Sequence, residues 1–436
     1  MALLHDMSDI CTLSELDLFS VKLTQTQIER STYHEISTIN SITENGPLEF
    51  FISASSEEYL DLNNSYIHIQ AKITKADGTN LDADTHVGFT NYPGATLFSQ
   101  LDITLADTLV THSSSTYPYR AMLECLLNYG EDALKTQFAC GLFCKDTAGH
   151  MDVTNPAGHN EGYTERVSYT EESKIVDIIA PIHADMFFQE KMLINGVDIK
   201  MKFIRAKDEF CLMSANAADG HKVKIMAASI YVKKVAVDPG VRLAHAKALA
   251  HSTLKYPIDR TCLKTVSIPG GTRVCTQENL YLGQIPKFIV IGFVDNEAFS
   301  GSYGRNPFKF HHYHLEYIAL HADGHTYPGK PLQPAYNNEQ YGREYHQMMQ
   351  ATGRHLKDRG LAITRKDFGR GYTLYCFNLD ADEGCGGHVS LIRSGNVRLE
   401  TRFRVPLQRT VTMLCYAVFD SVIEISSRRQ VLIDYH

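Results

Sequence analysis

Apolar and polar residues alternate along Asn195-Gly196-Val197-Asp198-Ile199-Lys200-Met201-Lys202-Phe203. That alternation predicts a strand with one buried face. It returns as Gly395-Asn396-Val397-Arg398-Leu399-Glu400-Thr401-Arg402-Phe403, where Val197 falls on Val397, Ile199 on Leu399 and Phe203 on Phe403. Both stretches open on an Asn/Gly pair, the residue types of a tight turn. The surroundings repeat as well. Residues 178–185 and 374–382 are apolar runs ending in Ala-Asp, about a dozen residues before each turn. Residues 101–107 answer 315–323, and after each comes a Tyr-Pro loop and then a helix ending in Gly. Residues 223–237 answer 411–425. Four features in the same order predict one domain duplicated in tandem.

Residues 1–30 are polar with weak periodicity and read as an N-terminal arm, in which Ser14-Glu15-Leu16-Asp17-Leu18-Phe19 could dock on a neighbour. A first sandwich is expected over 31–238, with strands at 47–52, 66–73, 101–110, 175–182, 192–203 and 223–237. A helix begins at Pro118 and ends at Gly130, and 145–170 reads as a long exposed loop. Asp238-Pro239-Gly240 marks a boundary, followed by a short helix with Val241, Ala244 and Leu249 inward. A second sandwich is expected over 239–436. Its strands fall at 256–266, 277–282, 288–294, 310–320, 372–379, 389–392, 397–403 and 411–425. The run 288–294 is apolar throughout, as a strand buried on both faces would be. Thr326 to Pro331 reads as a loop before a helix carrying Tyr341, Tyr345 and Met348 on one face. Parallel sheets need a helix between most strand pairs, and few helices are predicted. The expected fold is therefore all-β: two tandem antiparallel eight-stranded jelly-roll sandwiches, a double jelly roll with short helices in its loops.

Length and composition sharpen this picture. A chain of 436 residues accommodates two sandwiches of about 200 residues each. Its 23 Tyr and 20 Phe, without Trp, suit strands. The formal net charge of −8 lacks the basic surplus of a protein whose main task is gripping nucleic acid. The ten cysteines are scattered, with Cys140 and Cys144 the one close pair, and read as buried thiols of a reducing compartment. No signal-peptide core follows Met1, and the longest apolar run, 288–294, is too short to span a bilayer.

Candidate chemistry is sparse. On a strand, His312, His314 and Glu316 would share a face, and two imidazoles with a carboxylate can hold a divalent metal. The Glu follows the second His too closely for a cupin pattern, so a structural His cluster is the favoured reading and no metal or cofactor is assigned. The stretch Arg354 to Arg370 holds six basic residues (Arg354, Lys357, Arg359, Arg365, Lys366 and Arg370) and reads as a solvated loop, with a patch for an acidic neighbour or genome as its functional alternative. Arg428-Arg429 is a shorter version. Gly384-Cys385-Gly386-Gly387 follows four residues of which three are acidic, so it reads as a turn rather than a phosphate loop. No nucleophile elbow or Rossmann fingerprint is found, and no catalytic residue is assigned.

Several stretches carry a family resemblance. They are Ser14 to Phe19 with Thr24-Gln25-Thr26, Thr116-Tyr117-Pro118-Tyr119-Arg120, Leu127-Asn128-Tyr129-Gly130, Lys145-Asp146-Thr147-Ala148-Gly149, Asp367-Phe368-Gly369-Arg370-Gly371-Tyr372 and Ser394 to Leu399. In these the chain resembles the major capsid (hexon-type) proteins of Polinton/Maverick elements and adintovirus-like viruses. The resemblance implies a non-enzymatic virion protein whose homotrimer forms a pseudo-hexagonal capsomer. It implies neighbouring capsomers and penton or minor capsid proteins as partners, and at most indirect contact with a double-stranded DNA genome inside an icosahedral shell. Synthesis in the host cytoplasm, with assembly there or in the nucleus, goes with that reading. The arm and the tail from Val431 to His436 are expected to clip neighbouring subunits. The alternatives are a bicupin-like metal enzyme built on His312 and His314, and a glycan-binding double sandwich.

Overall fold

The computed structural model describes residues 7–433 apart from 54–56, 156, 217–219 and 382–387. The first half contributes β1 (Ile28–Ser37), β2 (Leu48–Ile52), β3 (Glu58–Thr74), β4 (Val87–Phe89), β5 (Phe98–Leu105), β6 (Thr108–Leu109), β7 (Val176–Pro181), β8 (Ile199–Arg205), β9 (Leu212–Ser214) and β10 (Lys222–Val237). The second contributes β11 (Leu254–Ile268), β12 (Val274–Gln284), β13 (Phe288–Asp295), β14 (Leu315–Ala322), β15 (His325–Leu332), β16 (Leu374–Asn378), β17 (Ser394–Phe403), β18 (Val411–Ile425) and β19 (Val431–Ile433). The sheets run β1-β10-β3-β7 and β2-β8-β5-β6, then β11-β18-β13-β16 and β12-β17-β14-β15. Setting aside the small β4-β9 pair and β19, each half orders its eight strands 1-8-3-6 and 2-7-4-5, all antiparallel. That is a jelly roll made twice.

The repeated alternation builds the two cores. In β8, Ile199, Met201 and Phe203 point inward while Lys200 and Lys202 face solvent. Phe203 meets Phe50 edge-on at 5.8 Å and Phe98 at 4.9 Å. In β17 the fully buried Phe403 meets Phe293 of the opposite sheet at 5.7 Å. Burying each such ring stabilises by about 1.5–3 kcal/mol. The duplication extends to the turns. Leu105 pairs Thr108 across Ala106-Asp107, and Ala322 pairs His325 across Asp323-Gly324. All four turn residues have positive φ, as a two-residue hairpin requires.

Nine helices occur among the described residues: α1 (Pro93–Thr96), α2 (Tyr117–Asn128), α3 (Glu131–Thr136), α4 (Glu161–Thr170), α5 (Asp208–Cys211), α6 (Pro239–Leu249), α7 (Asn296–Ser300), α8 (Gly342–Ala351) and α9 (Arg365–Phe368). Asp238 caps α6 by accepting from the amides of Gly240 and Val241. As expected, β13 is buried on both faces and lies between β16 and β18.

Several expectations are corrected. The strand predicted at 101–110 is the hairpin of β5 and β6, because Ala106 and Asp107 break it. Tyr117-Pro118 opens α2, and Tyr327-Pro328 lies inside β15; neither is a loop. Residues 145–170 contain α4 with buried Tyr163 and Arg166, because their polar groups are satisfied internally rather than by water. Residues 389–392 form no strand, and Gly395-Asn396 lies within β17, paired to Gly283 and Leu282, instead of in a turn. Only the first Asn/Gly pair turns, with Gly196 at φ 81°. Ala244 on α6 is exposed rather than inward. β1 starts at Ile28, inside the expected arm; residues 7–27 are exposed, with one 3-10 turn at Ser14–Leu16. The tail segment Val431–Ile433 is an edge strand paired to β18 of its own chain. Residues 1–6, Asp382, the Gly384 to Gly387 turn and residues 434–436 lie outside the described residues.

Phe203→Ala is expected to cost about 3–5 kcal/mol, since it empties a ring-sized space in the first core. Chemical denaturation of the two proteins side by side measures it; a loss below 1 kcal/mol would contradict this packing.

Candidate functional site

The functional groups gather where the two sandwiches meet. The long connection between β6 and β7 lies against the second half and supplies most of them. Arg166 on α4 is fully buried. It donates from Nε to the Phe89 carbonyl (2.8 Å), from Nη1 to the Cys144 carbonyl (2.5 Å) and from Nη2 to Asp146 Oδ1 (2.6 Å). The other carboxylate oxygen of Asp146 accepts from Asn306 Nδ2 at 2.8 Å, and its backbone carbonyl accepts from the Tyr372 hydroxyl at 2.7 Å. Asn306 and Tyr372 belong to the second half, so one buried carboxylate residue ties both sandwiches together. Lys145 extends the tie, donating to Asp367 (2.6 Å) and to the Ala362 carbonyl (2.5 Å). Asp367 is held by its capping box with Thr364. Gly149 N donates to the Arg370 carbonyl at 2.7 Å.

A second junction is built on α2. Arg120 donates to Glu124 (2.8 Å) and to Asp185 Oδ1 (2.6 Å), and the same Asp185 oxygen accepts from Thr261 N of β11 at 3.3 Å. Burial works against the Arg120 charge, but Asp185 and Glu124 on either side hold it protonated. Burial likewise opposes ionisation of Glu124, yet Arg120 and the His183 hydrogen bond at 2.6 Å outweigh it and keep the carboxyl below its ordinary range. Beside this junction a cavity of about 420 Å³ opens, lined by Arg120, Leu127, Thr261, Lys287, Tyr416 and Val418. A third contact is aromatic: Tyr119 sits 5.4 Å from Phe299 and 5.6 Å from Phe308 of the second half. The Asn195-Gly196 turn lies under Arg429, whose Nη2 donates to Asn195 Oδ1 at 3.3 Å. A Cβ on Gly196 would meet only the flexible Arg429 side chain, 2.8 Å away at Nε, so it is the positive φ that calls for glycine there.

Charges buried this way are costly unless hydrogen-bonded; Arg166 and Asp146 find partners from both sandwiches, whereas burial holds the Asp185 carboxyl above its ordinary range in spite of Arg120. Their chemical capacity is to fix one orientation between two rigid bodies.

The sequence-predicted residues fall elsewhere. His312 and His314 precede β14 rather than lying on it, because Tyr313 and His314 adopt left-handed backbone. The strand face expected to hold His312, His314 and Glu316 therefore does not form. The His312 ring stacks on Tyr336 at 3.9 Å, and its Nδ1 accepts from His314 N at 2.9 Å. Glu316 lies 3.6 Å from Arg273. Among the described residues, no three His, Cys, Asp or Glu side chains stand together to hold a metal. Burial lowers the pKa of His312 to about 3 and of His311 to about 4. His311 and His314 line a second cavity of about 360 Å³ with Arg305, Lys309 and Arg409. The basic stretch is partly absorbed by the seam: Arg354 donates across it to the Asn128 carbonyl at 2.5 Å.

Asp146, Arg166, Asn306 and Tyr372 were not singled out as functional by sequence reasoning. The available signal was an Arg and an Asp inside a stretch otherwise rich in Gly, Asn and Thr. The stretches Lys145 to Gly149 and Asp367 to Tyr372, noted separately for their resemblance, touch each other here.

No family model matches the chain. A curated relative, the uncharacterized protein F54H12.2 of Caenorhabditis elegans, is 24% identical over 427 residues, covering 94% of this chain and 99% of that protein. Among solved structures, the chain is similar to one from the Sputnik virophage resolved by cryo-EM (TM-score 0.65, 14% identity, 98% of this chain and 93% of that one). It is similar to a chain of the PBCV-1 virus capsid (0.61, 12%, 96% and 99%). It is also similar to the mavirus major capsid protein (0.54, 11%, 98% and 95%). These likenesses run the length of both sandwiches and show the double jelly-roll fold.

Asp146→Ala is expected to cost about 3–5 kcal/mol, because it leaves the Arg166 charge buried and unpaired; calorimetry of the purified protein measures it. Stability is also expected to be pH-dependent. Unfolded histidines take up protons near pH 6.5, whereas folded His312 and His311 resist until about 3 and 4. Their contribution is full above pH 6.5 and is lost as pH falls toward 4. Denaturation midpoints followed from pH 7.5 to 4.5 should drop less steeply for His312→Asn than for the natural protein.

Proposed function

We propose that this chain is a major capsid protein of a Polinton/Maverick or adintovirus-like element. The observation that carries the reading is a double jelly roll whose two sandwiches are locked by a buried seam, matched end to end by chains of viral capsids. In this reading an arm precedes β1, the first roll runs from Ile28 to residue 238 and the second over 239–436. Three copies place six rolls around a three-fold axis and fill a pseudo-hexagonal position in an icosahedral shell around double-stranded DNA. A single polypeptide then offers two non-identical edges, and closed symmetry constrains how they meet. The partners are further copies, neighbouring capsomers and the proteins of the five-fold vertices, and the place of action is the virion capsid. The net charge of −8 suits a shell that encloses a genome without gripping it. Among the described residues no helix is long and apolar enough to cross a membrane. The bicupin-like reading finds no support in the positions of His312, His314 and Glu316.

The arm suits a role between capsomers. Leu16, Leu18 and Phe19 are 68%, 77% and 99% exposed in the isolated chain, which is costly for an apolar run left without a partner.

Light scattering after gel filtration should give a mass near three times 49.0 kDa; a clean monomer would contradict the proposal. Deleting residues 1–27 should leave the three-chain stoichiometry unchanged and abolish closed shells, as counted by negative-stain imaging. Normal shells from the deletion would remove the arm from the account.

A further inference from the structure

The two rolls have the same strand order but unequal cover, and the inequality identifies a surface. In the second roll the outer face of the β11-β18-β13-β16 sheet is closed: Thr261, Val290, Tyr416 and Val418 are only 6%, 1%, 6% and 8% exposed. What closes it comes from the first roll. Helix α2, in the connection between the fifth and sixth strands of that roll, lays Arg120, Leu123 and Leu127 beside it. The connection between its sixth and seventh strands, residues 182–198, touches β11. Asp185 accepts from Thr261 N, Ile194 N donates to the Tyr256 hydroxyl at 3.1 Å, and Lys191 donates to the Lys255 carbonyl at 3.0 Å. Helix α2 is accordingly buried on nearly every side.

Among the described residues the same face of the first roll, beyond the end where His245 of α6 stacks on Tyr59, is left open. β1, the counterpart of β11, is exposed over nine of its ten residues. On the outer face Tyr33, Tyr66 and Tyr231 form a row of rings spaced 5.6 and 5.2 Å apart, with Tyr33 50% exposed and Ile179 beside them 38% exposed. The corresponding elements of the second roll leave their outer sides exposed. Helix α8 is the counterpart of α2, yet it buries only Glu344, Met348 and Ala351 and leaves His346 and Gln350 in solvent. The connection after β16, counterpart of 182–198, exposes Val389, Leu391 and Ile392 at 55%, 89% and 54%.

We infer that the Tyr33-Tyr66-Tyr231 face of one copy receives helix α8 and residues 388–393 of a second copy, in the manner that the second roll receives α2 and residues 182–198 within the chain. The inference rests on the trimeric capsomer proposed above and names its interface. One head-to-tail contact, made three times within chains and three times between them, closes a ring of six rolls. A heterologous contact of this kind forms either a ring or a filament, and the seam fixes the rotation that decides which. Rigid aromatic rings at the centre of the face suit an interface anchor.

The test compares the natural protein with two variants by light scattering after gel filtration, each checked for native circular dichroism and thermal midpoint. Tyr66→Glu combined with Tyr231→Glu alters the receiving face; His346→Glu combined with Gln350→Glu alters the arriving helix. Both are expected to shift the mass from near three times 49.0 kDa to 49.0 kDa while remaining folded. Should the tyrosine pair fail to fold, Tyr33→Glu, at an exposed edge position, replaces it with the same expected shift. Variants that keep the trimer mass of the natural protein would overturn this interface and leave the capsid reading standing. A natural protein that is itself monomeric would overturn the capsid reading, and the interface with it.

Discussion

Everything above the level of the single sandwich depends on the hydrogen bonds of buried Asp146. Its two carboxylate oxygens take Arg166 from the first roll and Asn306 from the second, and its carbonyl takes the Tyr372 hydroxyl. A charged pair in such a place contributes little net stability compared with a well-packed apolar substitute. What it contributes is directionality: apolar surfaces slide, whereas an ion pair with every donor and acceptor placed tolerates one arrangement. The Arg120-Asp185-Thr261 link and the Tyr119 rings act on the same boundary from another side. Three contacts of different chemistry hold the rolls in one relation.

That fixed relation explains how two copies of one domain diverged. The outer sheet of the second roll is covered inside the chain, so β13 is apolar on both faces and α2 is buried nearly all round. The equivalent sheet of the first roll is open around its tyrosines, so β3 alternates from Ser65 to Ile73 and α8 is amphipathic. The seam is thus written into the residue pattern of the elements on either side of it. In the capsid reading the open sheet and the amphipathic helix meet between copies instead of within one.

The same physics decides what could be read from sequence. Period-two alternation in 197–203 and 397–403 is a local signal, and it led to the duplication, the antiparallel sheets and the jelly rolls. The apolar run at 288–294 led to a doubly buried strand. Where a segment's neighbours lie far along the chain, local pattern misled. Residues 145–170 look like a solvated loop because their polar groups are satisfied by Phe89, Asn306 and Tyr372, from 77 positions before to 226 positions after the groups they meet. The His312 and His314 face failed for a more local reason. Strand periodicity was assumed up to Phe310, but left-handed Tyr313 and His314 end the ladder at Leu315. The seam residues were legible only as isolated oddities, since no spacing rule links Asp146 to Asn306.

In the proposed capsomer the seam sets the rotation between rolls so that three chains close a six-roll ring. A cryo-EM reconstruction of the purified capsomer, computed without imposed symmetry, tests it most directly. The expected result is a three-fold particle of six rolls in which the rotation from roll to roll is nearly the same within a chain as between chains, with Asp146 at each intrachain junction. A particle with flexibly tethered rolls, or one in which the two rotations differ grossly, would contradict it.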